Sequence, residues 1–86
     1  MNTGFLLMAQ YNGAAVIPLD LVLRDYFGGL SRVQFLAKVD RGEIKIPVTR
    51  MEASRKAMVG IGLVHLAEYI DARTAEARKE LGRLAL

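Results

Sequence analysis

The stretch DLVLRDYFGGLSRVQFLAKVDRGEIKIPVTR, Asp20 to Arg50, decides the fold. Leu19, Val22, Leu23, Tyr26 and Phe27 share one broad face of a short helix, with Asp20, Arg24 and Asp25 largely off it. Gly28-Gly29 ends that helix. Ser31 then offers an N-cap and Gln34, three residues on, completes a capping box: the Ser oxygen accepts from the third amide and the Gln side chain reaches back. The spacing predicts a second helix over 32–41 with Val33, Leu36, Ala37 and Val39 inward and Gly42 as its C-cap. Helix, glycine-containing turn, helix is the outline of a helix-turn-helix. After Gly42 the period changes to two, with Ile44/Lys45/Ile46 and then Val48/Thr49/Arg50/Met51 alternating. Pro47 marks an edge strand or an interruption.

Working outward, EASRKA (52–57) is polar enough for a loop, and MVGIGL (58–63) is fit for a return strand packed closely against something. Strand, basic loop, strand after the second helix is the layout of a wing. The expected class is therefore α+β, a small winged helix-turn-helix in one domain over residues 1–86. N-terminally, Phe5–Tyr11 reads as a first strand or a short helical turn, and periodicity does not decide between them. Asn12-Gly13 signals a turn, and AAVIPL a short extended run, because Pro18 holds Ile17 out of helical space. C-terminally, Val64 to about Leu84 reads as the longest helix. Its apolar stripe carries Leu63, Leu66, Ala67, Ile70, Ala77, Leu81 and Leu84, with Thr74 on the same line. That helix is longer than a body this small needs. Leu81, Leu84 and Leu86 would stand exposed unless a second copy covers them, so a homodimer is expected.

Eighty-six residues make one domain with a modest core. With no cysteine, disulfides and thiolate metal sites are excluded and packing alone must hold the chain, which suits a reducing cytoplasm. The longest uncharged run, Met1–Leu19, is interrupted by Gln10, Asn12, Gly13 and Pro18, and no basic region precedes Phe5–Ala9. Neither a membrane span nor a signal peptide is expected, and the reading is cytoplasmic. The pI near 9.6 suggests an anionic partner. The charge is clustered: residues 31–56 hold seven Lys or Arg against three acids, while residues 57–86 balance.

Gln34, Lys38 and Arg41 recur at i, i+4 and i+7 and form one polar stripe, with Arg32 at the exposed start of the helix. A recognition helix needs an apolar face on the domain and a face of long donors for the major groove. Arg and Lys can donate to guanine, Gln can pair with adenine, and any of them can hold phosphate. An ordinary solvated helix face would look the same on the stripe alone. Lys45 and Arg50 continue the basic segment, and Ser54, Arg55 and Lys56 occupy the loop, where Arg suits phosphate and a narrow minor groove. His65 is the only histidine, so no metal site is expected. Ser31 and Ser54 have no His/Asp partners in context and no phosphate-loop pattern occurs, so neither an enzyme nor a cofactor is expected.

FLLMAQY (5–11), VIPLDLVLRDYFG (16–28), GEIKIPVTRMEASRKA (42–57) and HLAEYIDARTAEARKE (65–80), taken in order, resemble the pyocin activator protein family, the PrtN type, over roughly residues 1–80. Members of that family are small transcriptional activators of bacteria carrying phage-tail-like bacteriocin clusters, and of phages and prophages. The resemblance implies binding to a double-stranded promoter element and raised transcription of such genes, with an exposed surface contacting RNA polymerase. In outline the chain is also similar to excisionase and MerR-like winged domains, whose long helix follows the wing. Two alternatives stand beside this: an excisionase-like factor that bends DNA, and a small adaptor that turns its basic face to an acidic protein.

Overall fold

Gly42 sits at φ +76°, a left-handed conformation that costs glycine little, and the chain reverses there into a full helix-terminating motif. The Gly42 amide donates to Val39 O at 3.0 Å and the Glu43 amide to Lys38 O at 2.9 Å. This stop separates α3 from the segment that leads into the last two strands. In the computed structural model, which describes residues 2–84, the order is α1 (Thr3–Gln10), β1 (Val16–Pro18), α2 (Leu19–Tyr26), α3 (Arg32–Asp40), β2 (Thr49–Arg50), β3 (Val59–Gly62) and α4 (Leu63–Leu84). The fold is α+β, with four helices among the described residues, a three-stranded sheet and a long C-terminal helix.

The ambiguous segment at Phe5–Tyr11 is helical. Asn2 caps it, its side chain accepting from the Phe5 amide at 3.1 Å. The α1 helix ends at the expected turn, where Asn12 and Gly13 both take positive φ. The sheet is antiparallel with β3 in the middle: Val16 pairs with Gly62, Ile17 with Ile61, Thr49 with Gly60 and Arg50 with Val59. Gly60 is required here. A Cβ on it would lie 2.6 Å from Ile17 O, so any side chain would push β1 away.

Only Thr49 and Arg50 of the alternating run form a strand. Ile44 and Ile46 are buried while Lys45 and Pro47 are exposed, so the period-two burial holds without a ladder. Pro47 has no N–H to give, and β3 is only four residues long, with Gly60 and Val59 already matched to Thr49 and Arg50.

The core is apolar throughout. Phe35, Ile17, Leu19, Ile61, Leu66 and Val22 are its largest fully buried members, and apart from Tyr11, whose hydroxyl is hydrogen-bonded, no polar or charged side chain is buried among the described residues. On α2, Leu19, Val22 and Leu23 are buried and Phe27 follows half-buried. Tyr26, expected on the same face, is 39% exposed, its hydroxyl donating to Gln10 Oε1 at 2.7 Å. Tyr11 is buried beside it and donates to Asp25 Oδ2 at 2.6 Å, which ties α1 to α2. Burial and the Asp25 carboxylate both push the Tyr11 phenol above its ordinary value, burial being the larger cause.

Candidate nucleic-acid interface

The α3 helix starts as its sequence requires. Ser31 Oγ accepts from the Gln34 amide at 3.1 Å, and Gln34 Oε1 accepts from the Ser31 amide at 2.9 Å. Both halves of the capping box are present. The inward face is different from the one expected. Phe35 is the helix's fully buried residue, and its ring meets Phe27 edge-on, 5.0 Å between centroids at 73°. Val33 stands about 200° around the helix from Phe35 at 100° per residue, and is 77% exposed. Leu36 and Val39 pack against the core as expected. Ala37 is half-buried and is not among the side chains packed there.

The rotation re-sorts the polar stripe. Gln34 is exposed, with its carbonyl committed to the cap. Lys38 lies beside the buried edge, half-buried, and its Nζ is 3.5 Å from Glu43 Oε1. Arg41 is exposed and its guanidinium also bonds Glu43. Arg41 first, and Lys38 less, hold the Glu43 carboxyl below the ordinary carboxylate range. At the other end of the helix, Arg32 approaches Asp20 at 3.5 Å. Three of the four polar residues expected on this face therefore have an acidic partner within the molecule.

Glu43 was not singled out from sequence, although a signal existed. A glycine stop at 42 brings the next residue back over the last turn of the helix, where Lys38 and Arg41 are. Lys45 is exposed on the segment that follows, and Arg50 is exposed on β2.

Beyond β2 the chain turns through residues 51–58 and returns in β3. Its base is closed by the Met51 amide donating to Met58 O at 3.1 Å. At its tip Ser54 Oγ accepts from the Lys56 amide at 2.9 Å, and Ser54 O accepts from the Ala57 amide at 3.1 Å. Ser54 thus shapes the turn, and Arg55 and Lys56 are exposed on it. Among the described residues, Lys45, Arg50, Arg55 and Lys56 form no salt bridge.

The structure therefore defines a small α+β protein whose hairpin carries unpaired cations next in sequence to a capped helix with paired ones. The family model for pyocin activator protein PrtN matches residues 3–77, and the chain belongs to that family. Membership points to a transcriptional-activator role, regulatory rather than enzymatic. No curated protein and no solved structure matches the chain. Among the described residues, no helix is long and apolar enough to cross a membrane.

Proposed function

We propose that this chain is a DNA-binding transcriptional activator of bacteriocin or prophage-type genes, working as a winged helix-turn-helix. In this reading α2, the turn at 27–31 and α3 are the helix-turn-helix, and the β2–β3 hairpin is the wing. The observation that carries it is the set of four exposed, unpaired cations, Lys45, Arg50, Arg55 and Lys56, in and just before that hairpin. Cations without an internal partner are free to neutralise phosphates and release counterions. Arg32, Gln34, Lys38 and Arg41 line the helix side of the grip, and Ser54 shapes the loop and can still donate its hydroxyl proton. RNA polymerase would meet an exposed surface away from this face, and the protein would work in the bacterial cytoplasm at the nucleoid.

Val33 on α3 and Met51 and Met58 on the hairpin are exposed beside these cations in the sequence. Apolar side chains among cations favour a second reading, an adaptor that grips an acidic protein. One titration separates the two. A labelled duplex from upstream of the neighbouring phage-like genes and a scrambled duplex are each titrated at two salt concentrations. Tighter, salt-weakened binding to the first supports the activator. Equal, weak binding to both moves the adaptor forward.

A further inference from the structure

The α4 helix leaves the body half-way along its length. Leu63 and Ala67 are buried against the body and Ile70 is half-buried, while Thr74, Ala77, Leu81 and Leu84 are exposed. These seven positions are spaced alternately four and three residues apart, without a break. Such spacing is a heptad seam that keeps one line of a helix turned to a neighbour. The line that packs on the body thus runs on as an uncovered seam, with Leu81 68% and Leu84 84% exposed. At its inner end the seam opens onto a groove lined by Leu6, Gln10 and Tyr26 on one side and Ile70, Thr74 and Arg78 on the other. Leu6 is itself exposed there.

The residues flanking the seam choose the occupant. Asp71 and Arg78 lie on one flank, and Arg73 and Glu80 on the other; all four are exposed. If two copies of α4 run antiparallel with Thr74 opposite Ala77, Ile70 falls opposite Leu81. Like flanks then face each other, and Asp71 meets Arg78 while Arg73 meets Glu80. Both pairs are attractive, and two-fold symmetry makes each occur twice. Asp71 already accepts from the Thr3 hydroxyl at 2.6 Å through Oδ1, which leaves Oδ2 for the arginine. A parallel pair would instead set Arg73 against Arg78, like against like. Beyond Ile70 the seam is already occupied by α1, which packs over Ala67. Leu84 of the second copy would therefore enter the groove beside Leu6.

We propose that the chain forms a two-fold dimer in which the distal halves of α4 pair antiparallel and each helix end seats in the other copy's α1–α4 groove. The pairing needs no DNA and does not depend on the basic face.

The test is sedimentation velocity of the full chain without DNA, at concentrations up to about 100 μM, where even a weak specific complex is populated. A dimer is expected. Leu81→Glu should give a monomer with unchanged helix content by circular dichroism. Arg73→Glu sets two carboxylates opposite each other twice and should weaken the dimer about tenfold, from the size of two exposed ion-pair reversals. Arg73→Glu with Glu80→Arg should restore it. A wild-type monomer throughout the range overturns the proposal, as does a dimer that survives Leu81→Glu. Tighter association in Arg73→Glu overturns the antiparallel register, because in a parallel pair that change would set a carboxylate against Arg78 and turn a repulsion into an attraction.

Discussion

At the end of α3, Lys38 and Arg41 both close onto Glu43, whereas on the β2–β3 loop Arg55 and Lys56 close onto no carboxylate among the described residues. The sequence counts all four as equal charges in one basic cluster. The fold separates them. The glycine stop at 42 folds an acid back onto the helix end, so the cations there are already partly neutralised by Glu43 when a phosphate approaches. The loop has one acid of its own, the exposed Glu52, and it bonds neither cation. What the contrast teaches is that clustered charge and available charge are different quantities. The proposed grip should lean on the hairpin more than on the helix.

The strongest way to break this comparison is to attack the phase of α3, because that phase decides which side chains the helix offers. Phe35→Ala removes a fully buried ring that meets Phe27 at 5.0 Å and should cost about 3–5 kcal/mol in urea unfolding. That is a large share of the stability of a domain this small. Val33→Ala, at a position 77% exposed, should stay within about 0.5 kcal/mol of the parent. Reversed magnitudes would restore the sequence-based face, with Val33 inward and Lys38 opposite the core.

That pair of residues also shows where sequence stops being legible. The cap of α3 could be read because it is local: Ser31, Gln34 and two amides settle it within one turn. Gly42 was readable for the same reason. The inward face was not, because VQFLAKV has apolar residues at five of seven positions and supports two faces equally. Contact with Phe27, eight residues upstream, breaks the tie, and no window on α3 contains that fact. In EIKIPVTRM the alternation matches burial as far as Pro47 and fails after it, where Val48 and Thr49 are both half-buried and Arg50 and Met51 both exposed; nor did it give the strand, since a ladder needs a partner and β3 supplies one only to Thr49 and Arg50. The stripe on α4 was legible along its whole length. How far the body covers it was not, because that depends on where α1 packs, and Leu86 lies outside the described residues. In the candidate site, residue types were readable and their pairing was not.

The next effect in size concerns the loop. Arg55→Gln with Lys56→Gln removes two unpaired cations from an exposed turn. The slope of log affinity against log salt should become shallower by about 1.8, since each neutralised phosphate contributes about 0.9 for duplex DNA. Affinity for the cognate duplex should fall by about tenfold or more at moderate salt. Fluorescence anisotropy over a salt series reads both. An unchanged slope would mean that the loop does not touch phosphate, and the contrast between the two regions would lose its functional meaning.

Lys38→Gln with Arg41→Gln should change that slope by less than half as much. Each of these cations already has Glu43 as a partner, so fewer counterions are exchanged for phosphate when DNA arrives. A helix-side change equal to or larger than the loop-side change would invert the comparison. The helix would then be the main electrostatic grip, with Glu43 displaced on binding.

The smallest effect sharpens the comparison most, because it alters neither cation. Glu43→Gln leaves Lys38 and Arg41 in place and removes what holds them. If the helix end faces DNA, affinity should rise by about threefold, the scale of one exposed charge pair released; if only the loop does, it should not move. The same variant has a signature in stability against pH. The Glu43 carboxyl titrates below its ordinary 4.5 because Arg41 and Lys38 favour its charged form. Its contribution is therefore fully present above that ordinary value and is lost as pH falls through the lower folded one. The parent and Glu43→Gln should differ in thermal midpoint at neutral pH and converge on acidification. Asp25, held low mainly by Arg24 and then by Tyr11, titrates in both proteins and cancels from the difference. A gap that persisted at low pH would mean that Glu43 acts through packing of the α3 stop rather than through its charge. Lys38 and Arg41 would then be as available as the loop cations, and the asymmetry between the two basic regions would have to come from shape.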